Sequence, residues 1–211
     1  TCIVKEKTES KIKRRIQNLS NLYKNKLIII AGCMPQTDFN FLKKINPKLI
    51  FLGIHHLKDI IKLLTNFNEN LLTSKEQSEY LSKRNEEKIF LPKISKNKLI
   101  SIIQISEGCL GFCNFCKTKL AKGTLFSYDR EKIIKQIESD LSAGAKEIWL
   151  TSQDNAIYGL DKADKKHLLP ELLNEILNLK HHFKLRLGMM NPNSLHSIME
   201  DMIDIYHSKK M

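Results

Sequence analysis

Apolar residues recur along this chain in two rhythms, and the rhythms alternate. From Thr8 to Tyr23 they fall at Ile12, Ile16, Leu19 and Tyr23, with Lys and Arg between them, which predicts an amphipathic helix. Leu27–Ala31 is then an unbroken apolar block, the signature of a short buried strand, closed by Gly32-Cys33-Met34-Pro35. A helix is expected over Asp38–Lys44, a strand over Leu49–Leu52 and a helix over His55–Leu64. This order predicts a small parallel sheet covered by helices.

From residue 66 to residue 98 the pattern dissolves into a polar stretch that includes NENLLTSKEQSEYLSKRNEEK, read as a linker with at most a marginal helix. Periodicity resumes with a strand at Leu99–Ile105. Ile133, Ile134, Ile137 and Leu141 share one face of a helix over Arg130–Ala143, which Ser127 or Asp129 can cap and Gly144 can end. Glu147–Thr151 is the second strand of this half, and Pro170 opens a Leu-rich helix. Phe183–Leu187 is the third strand, and Leu195, Ile198, Met199, Met202 and Tyr206 form the face of a last helix.

Three successive βα units predict a parallel sheet or barrel whose site lies at the C-terminal strand ends. The third strand would expose an unpaired edge bearing Leu185, Leu187 and Met189. That edge, and the absence of an initial Met, give the expectation that both ends are truncated.

Composition changes the picture in two respects. The 211 residues carry a formal charge of +12, with 35 Lys and Arg, and Arg only at Arg14, Arg15, Arg84, Arg130 and Arg186. Such a surface suits nucleic acid, although a compositionally biased genome would spread lysine over any surface. No apolar run approaches the roughly 18 residues of a membrane span, and the opening residues do not read as a secretory leader. The five cysteines, an odd number, fit reduced thiols bound to metal in the cytoplasm better than a disulfide framework.

Three of them stand close together, Cys109, Cys113 and Cys116 in SEGCLGFCNFCKTK, directly after the strand Leu99–Ile105. Three thiolates on one tight loop can hold three irons of a four-iron cluster and leave the fourth iron open to a substrate or second cofactor. A zinc site is the alternative, but it requires a nearby fourth ligand, and no His lies between His56 and His167.

This segment resembles the cluster motif of radical S-adenosylmethionine enzymes, and the resemblance extends to their methylthiotransferase branch. EIWLTSQDNAIYG (Glu147–Gly159) is similar to that family's second-strand motif, and LRLGMMNPN (Leu185–Asn193) to its third. TCIVKEKTESK and LIIIAGCMPQ are similar to its amino-terminal domain. The resemblance implies two [4Fe–4S] clusters and S-adenosylmethionine as cofactors. Cys109, Cys113 and Cys116 would hold the radical-generating cluster. Cys2 and Cys33 would help hold an auxiliary one, with a third cysteine upstream of Thr1. Phe115, Ser152, Gln153 and Arg186 would contact S-adenosylmethionine.

Lys117-Thr118-Lys119, the TSQD at Thr151–Asp154 and the MMNP at Met189–Pro192 look more like the archaeal and eukaryotic group. That group adds a methylthio group to N6-threonylcarbamoyladenosine beside the tRNA anticodon. The implied partners are tRNA, an electron donor such as flavodoxin or ferredoxin, and a sulfur source, for a cytoplasmic monomer without a membrane contact. Residues 1–66 would be a partial auxiliary-cluster domain, 67–98 a linker, and 99–211 the first part of a βα barrel, inactive by itself. The alternatives are methylthiolation of isopentenyladenosine in tRNA or of a ribosomal protein and, from another class, a zinc-stabilised RNA-binding module without catalysis.

Overall fold

The computed structural model describes residues 1, 3, 6–65 and 74–211. They form a mixed α/β protein of two compact units, residues 1–86 with 112–123, and residues 87–111 with 124–211.

The first unit opens with α1 (Glu6–Leu22), whose Glu6 and Glu9 suit the positive end of the helix dipole and whose Ile16 is buried. Strand β1 (Ile29–Gly32) leads through α2 (Met34–Thr37) and α3 (Phe39–Ile45) to β2 (Ile50–Gly53), which pairs with β1 in parallel, Ile29 opposite Ile50. Both faces of this two-stranded sheet are covered, so its strands are apolar throughout. Ile30 and Phe51 pack with Ile3, Ile16, Met34 and Leu42 on one side, and Ile50 and Leu52 pack with Leu63 and Tyr80 on the other.

A turn of 3-10 helix (Ile54–Asp59) precedes α4 (Ile60–Thr65), and α5 spans Ser74–Glu79. Gln77 accepts from Phe51 N at 3.3 Å and donates to Phe51 O at 2.8 Å, and Gly53 N donates to Tyr80 O at 2.9 Å, so residues 77–80 lie along the edge of β2. Helix α6 (Lys117–Lys122) completes the unit by burying Ala121 in its core.

The second unit is built on three parallel strands in the order β3 (Ile100–Gln104), β6 (Glu147–Thr151), β7 (Lys184–Leu187). Between the first two come β4 (Ser106–Glu107) and β5 (Phe126–Ser127), a two-residue antiparallel ladder, and α7 (Arg130–Ser142). Helix α8 (Leu169–Leu177) returns the chain to β7, and α9 (Pro192–Leu195) and α10 (Met199–Tyr206) follow.

The buried apolar residues of the three strands are on one face of the sheet. Ile103, Ile148, Leu150 and Leu185 pack with α7, α8 and α10, each buried Leu or Ile contributing about 1.5–3 kcal/mol. The opposite face holds the row Ile102, Trp149, Arg186, in which Ile102 is 56% exposed.

Several expectations need correction. The helix expected over Asp38–Lys44 is present as α3, but an unexpected short helix, α2, precedes it, the two separated at Asp38, whose φ of −124° is not helical. The helix expected from His55 starts as a 3-10 turn because His56, also non-helical at φ −119°, is held by a 2.8 Å contact between its Nδ1 and Asp59. The last helix breaks at Ile198. Of the two cap candidates for α7 it is Asp129 that accepts from Lys132 N, at 3.0 Å, while Ser127 Oγ accepts from Gly159 N. The third strand's edge is not bare along its length. Leu185 is buried, and its N–H donates to Lys210 O at 2.6 Å, while Met189 beyond the strand is exposed.

Candidate functional site

The cysteine loop starts where β3 ends, and its base is fixed by backbone. Ile105 N donates to Thr151 O at 3.0 Å and Tyr128 N to Ile105 O at 2.9 Å, so the chain entering the loop is tied to β6 and to the strand leaving it. Glu107, buried, is ion-paired with Lys88. Gly108 then turns with φ +72°, a conformation that glycine adopts without strain, and its N–H donates to Gln153 Oε1 at 2.9 Å. Among the candidate cofactor contacts outside the loop, Gln153 is thus hydrogen-bonded to the loop's base.

Beyond Gly108 the loop opens to solvent. Cys109 is half-buried and its Sγ accepts from Gly111 N at 3.2 Å; Cys113 is exposed, Cys116 is half-buried, and both have free thiols. Cys116 N donates to Cys113 O at 3.0 Å, closing a tight turn. Phe112 and Phe115 are each 90% exposed, and Phe115 and Cys116 line an open cavity of 290 Å³ with Ile3, Glu6, Glu9, Lys117 and Thr118. Cys109 belongs to the second unit, and Cys113 and Cys116 to the first. Among the described residues no three His, Cys, Asp or Glu side chains are gathered into a metal-binding group. As a donor set, however, three thiols within eight residues, one already accepting an N–H bond, fit a cluster with thiolate ligands.

The remaining candidates differ in what holds them. Ser152 is buried and donates to Asn155 Oδ1 at 3.0 Å. Arg186 stacks its guanidinium 4.4 Å from the centre of the Trp149 ring on the open face of the sheet. Cys33 precedes α2, and its N–H donates to Thr1 O at 3.3 Å; Thr1 Oγ1 also donates to Ala31 O and accepts from Met34 N. A side chain at Gly32 would meet Thr1 N at 2.9 Å, so the close approach of the two segments depends on that glycine. Cys2, the other expected auxiliary ligand, lies outside the described residues.

Sequence reasoning missed the polar network just past β6. Asp154, 3% exposed, accepts from Ala156 N at 3.1 Å, Asn191 N at 3.0 Å and Ser194 Oγ at 2.8 Å. Asn155, fully buried, donates through its side chain to Met189 O at 2.9 Å. Together they lock the segment after β6 to the segment after β7. Both lie inside the motif TSQDNAIYG, and the signal was there: consecutive polar residues following an apolar strand need partners if the strand end is buried.

Comparison with known proteins gives a consistent picture. Residues 1–53 match the model of an uncharacterized protein family, UPF0004. The whole chain is 35% identical to a Pyrococcus horikoshii protein named "Probable threonylcarbamoyladenosine tRNA methylthiotransferase" and covers 48% of it. It is 33% identical to the Danio rerio threonylcarbamoyladenosine tRNA methylthiotransferase, over 96% of this chain and 36% of that one. The chain spans about half the length, or less, of the curated relatives it matches. Among solved structures, the cobalamin-dependent S-adenosylmethionine radical enzyme OxsB superposes with a TM-score of 0.54 at 16% identity, covering 98% of this chain and 32% of that one, a likeness of fold. Over nearly its whole length this chain is thus similar to part of archaeal and eukaryotic proteins named threonylcarbamoyladenosine tRNA methylthiotransferase.

Proposed function

We propose that the chain is part of a radical S-adenosylmethionine methylthiotransferase that modifies N6-threonylcarbamoyladenosine in tRNA. The observation that carries the reading is the three-cysteine loop at the C-terminal end of β3, with its base hydrogen-bonded to Gln153 at the end of β6. Homology over the whole chain to proteins of that name supports the substrate. Three parallel βα units with helices on one face support the first part of a barrel over residues 99–211, following an auxiliary-cluster domain over 1–66 and a connecting segment over 67–98.

In this reading Cys109, Cys113 and Cys116 hold one four-iron cluster, and Cys2 and Cys33 help hold a second. A cluster held by the first three would supply one-electron reducing chemistry toward S-adenosylmethionine. The chain's own part is positioning. Gln153 fixes the loop base, and the Asp154–Asn155 network holds the ends of β6 and β7 in a constant relation. Ser152 is placed by Asn155. Arg186, braced on Trp149, can offer two parallel N–H donors to a carboxylate or to ribose hydroxyls. Phe115 presents an uncommitted ring beside Cys116, suited to a purine face. The protein would work as a cytoplasmic monomer with tRNA, a flavodoxin- or ferredoxin-like electron donor and a sulfur source. No helix among the described residues is long and apolar enough to cross a membrane.

Nucleoside mass spectrometry of tRNA from a strain lacking the gene tests the reading. The methylthio form of N6-threonylcarbamoyladenosine should vanish and its precursor accumulate. Unchanged methylthiolation there, with loss on isopentenyladenosine or a ribosomal protein, would reassign the substrate.

A further inference from the structure

Lys117 immediately follows Cys116 and opens α6, but its ammonium is engaged elsewhere in the first unit. It lies 2.9 Å from both carboxylate oxygens of Glu9 on α1 and 3.5 Å from those of Asp38, the residue that ends α2. Lys13 bridges the same two carboxylates, 2.6 Å from Glu9 and 3.0 Å from Asp38. Thr37 Oγ1 donates to Asp38 at 2.7 Å. The quartet has two negative and two positive groups, and both carboxylates are largely shielded from water. Hydrogen bonds from Lys13 and then Lys117 hold the Glu9 carboxyl below its ordinary value.

The quartet joins two elements that each begin at a candidate cluster ligand. Cys33 stands immediately before α2 and Cys116 immediately before α6, and α2 packs against α6. Ala121 of α6 sits in the same core as Met34 of α2. A six-residue helix has too few hydrogen bonds to hold its own place, so its register on α2 depends on such anchors. Deleting Lys117 would leave two adjacent carboxylates facing the single cation of Lys13.

We propose that Lys117 is a positioning residue: through Glu9 and Asp38 it fixes the turn Cys113–Cys116 against α2, and thereby sets how firmly the three-cysteine loop retains its cluster. The inference rests on the cluster reading above. It also gives the Lys-Thr-Lys run after the third cysteine a physical role, with its first lysine acting inside the protein.

The test uses the full-length protein carrying Cys33→Ser, so that only the three-cysteine loop offers a complete ligand set, reconstituted anaerobically with iron and sulfide. Loss of iron to a chelator and the electron paramagnetic resonance spectrum of the reduced cluster are recorded. Lys117→Ala should lose iron about 5- to 10-fold faster, with an altered spectrum, since ligand orientation is set by such outer contacts. Lys117→Arg should stay within about twofold of the parent, and Lys7→Ala, an exposed charge on α1, should match it. If Lys117→Ala does not fold, Glu9→Gln decides, with about threefold faster loss expected from the missing charge. Equal rates and identical spectra in these variants would overturn the inference alone. A parent that binds no iron would overturn the cluster reading and the inference with it.

Discussion

The segment just past β6 and the cysteine loop serve the same proposed chemistry, yet they are built in opposite ways. Ser152, Asp154 and Asn155 are buried and Gln153 is half-buried, and each of the four side chains has a protein partner. Residues 109–116 carry two phenylalanines at 90% exposure, one exposed cysteine and few side-chain bonds. One region is a finished scaffold that will answer substitution with lost stability. The other holds its reactive groups on a loop whose substitutions should spare the fold and change the chemistry.

The sharpest break of that contrast would come from Asp154→Ala. It strands two backbone donors and a hydroxyl in a buried site, and about 3 kcal/mol or more of unfolding free energy should be lost. Phe112→Ala and Phe115→Ala, by contrast, should stay within about 0.5 kcal/mol in the same urea titration. Gly188→Ala comes next, at about 1–3 kcal/mol, because the added Cβ would meet Leu150 O at 2.8 Å and Asn155 Nδ2 at 3.2 Å. Ser152→Ala removes one buried hydrogen bond and should cost about 1 kcal/mol.

The smallest effect is a pH dependence that distinguishes the two units. Asp38 and Asp59 sit in partly buried surroundings that work against ionisation. Hydrogen bonds overcome this, from Thr37 and Lys13 to Asp38 and from His56 and Arg84 to Asp59, and both carboxyls lie below the ordinary value. Glu9 is lowered as well. Groups lowered on folding lend stability that is complete above about pH 5 and drains as the pH falls through their folded values. The first unit should therefore weaken in acid, and Glu9→Gln should flatten that loss in urea midpoints measured from pH 7 to 3. In the second unit burial raises the Tyr158 phenol, whose contribution is complete below about pH 10 and lost as the pH rises further.

Much of the architecture was legible in the sequence because long elements announce themselves. Strand β6 falls at the expected Glu147–Thr151 and α7 within a residue of its expected end. Short elements did not. Helix α6 has six residues and β4 and β5 two each, too few for a period to show, and they are held by Ala121, Lys117 and the loop base. The three cysteines stand out by their spacing, and their role as cluster ligands is a proposal. What spacing could not reveal was that Ser152 spends its hydroxyl on Asn155, that Arg186 rests on Trp149, or that Lys117 is bound inside its own unit. The first is a contact between neighbours three positions apart that depends on how the strand end is buried; the other two join residues far apart in sequence, Lys117 and Glu9 by 108 positions, and no local pattern carries them.

The central claim is that the loop holding Cys109, Cys113 and Cys116 binds a redox-active iron–sulfur cluster. Anaerobic reconstitution of the full-length protein, with iron, zinc and sulfide determined before and after Cys109→Ser, Cys113→Ser and Cys116→Ser, tests it most directly. The account predicts a brown protein whose visible absorbance bleaches with dithionite, and a loss of about four irons in each variant. Stoichiometric zinc with no iron uptake, or iron content indifferent to all three substitutions, would contradict it.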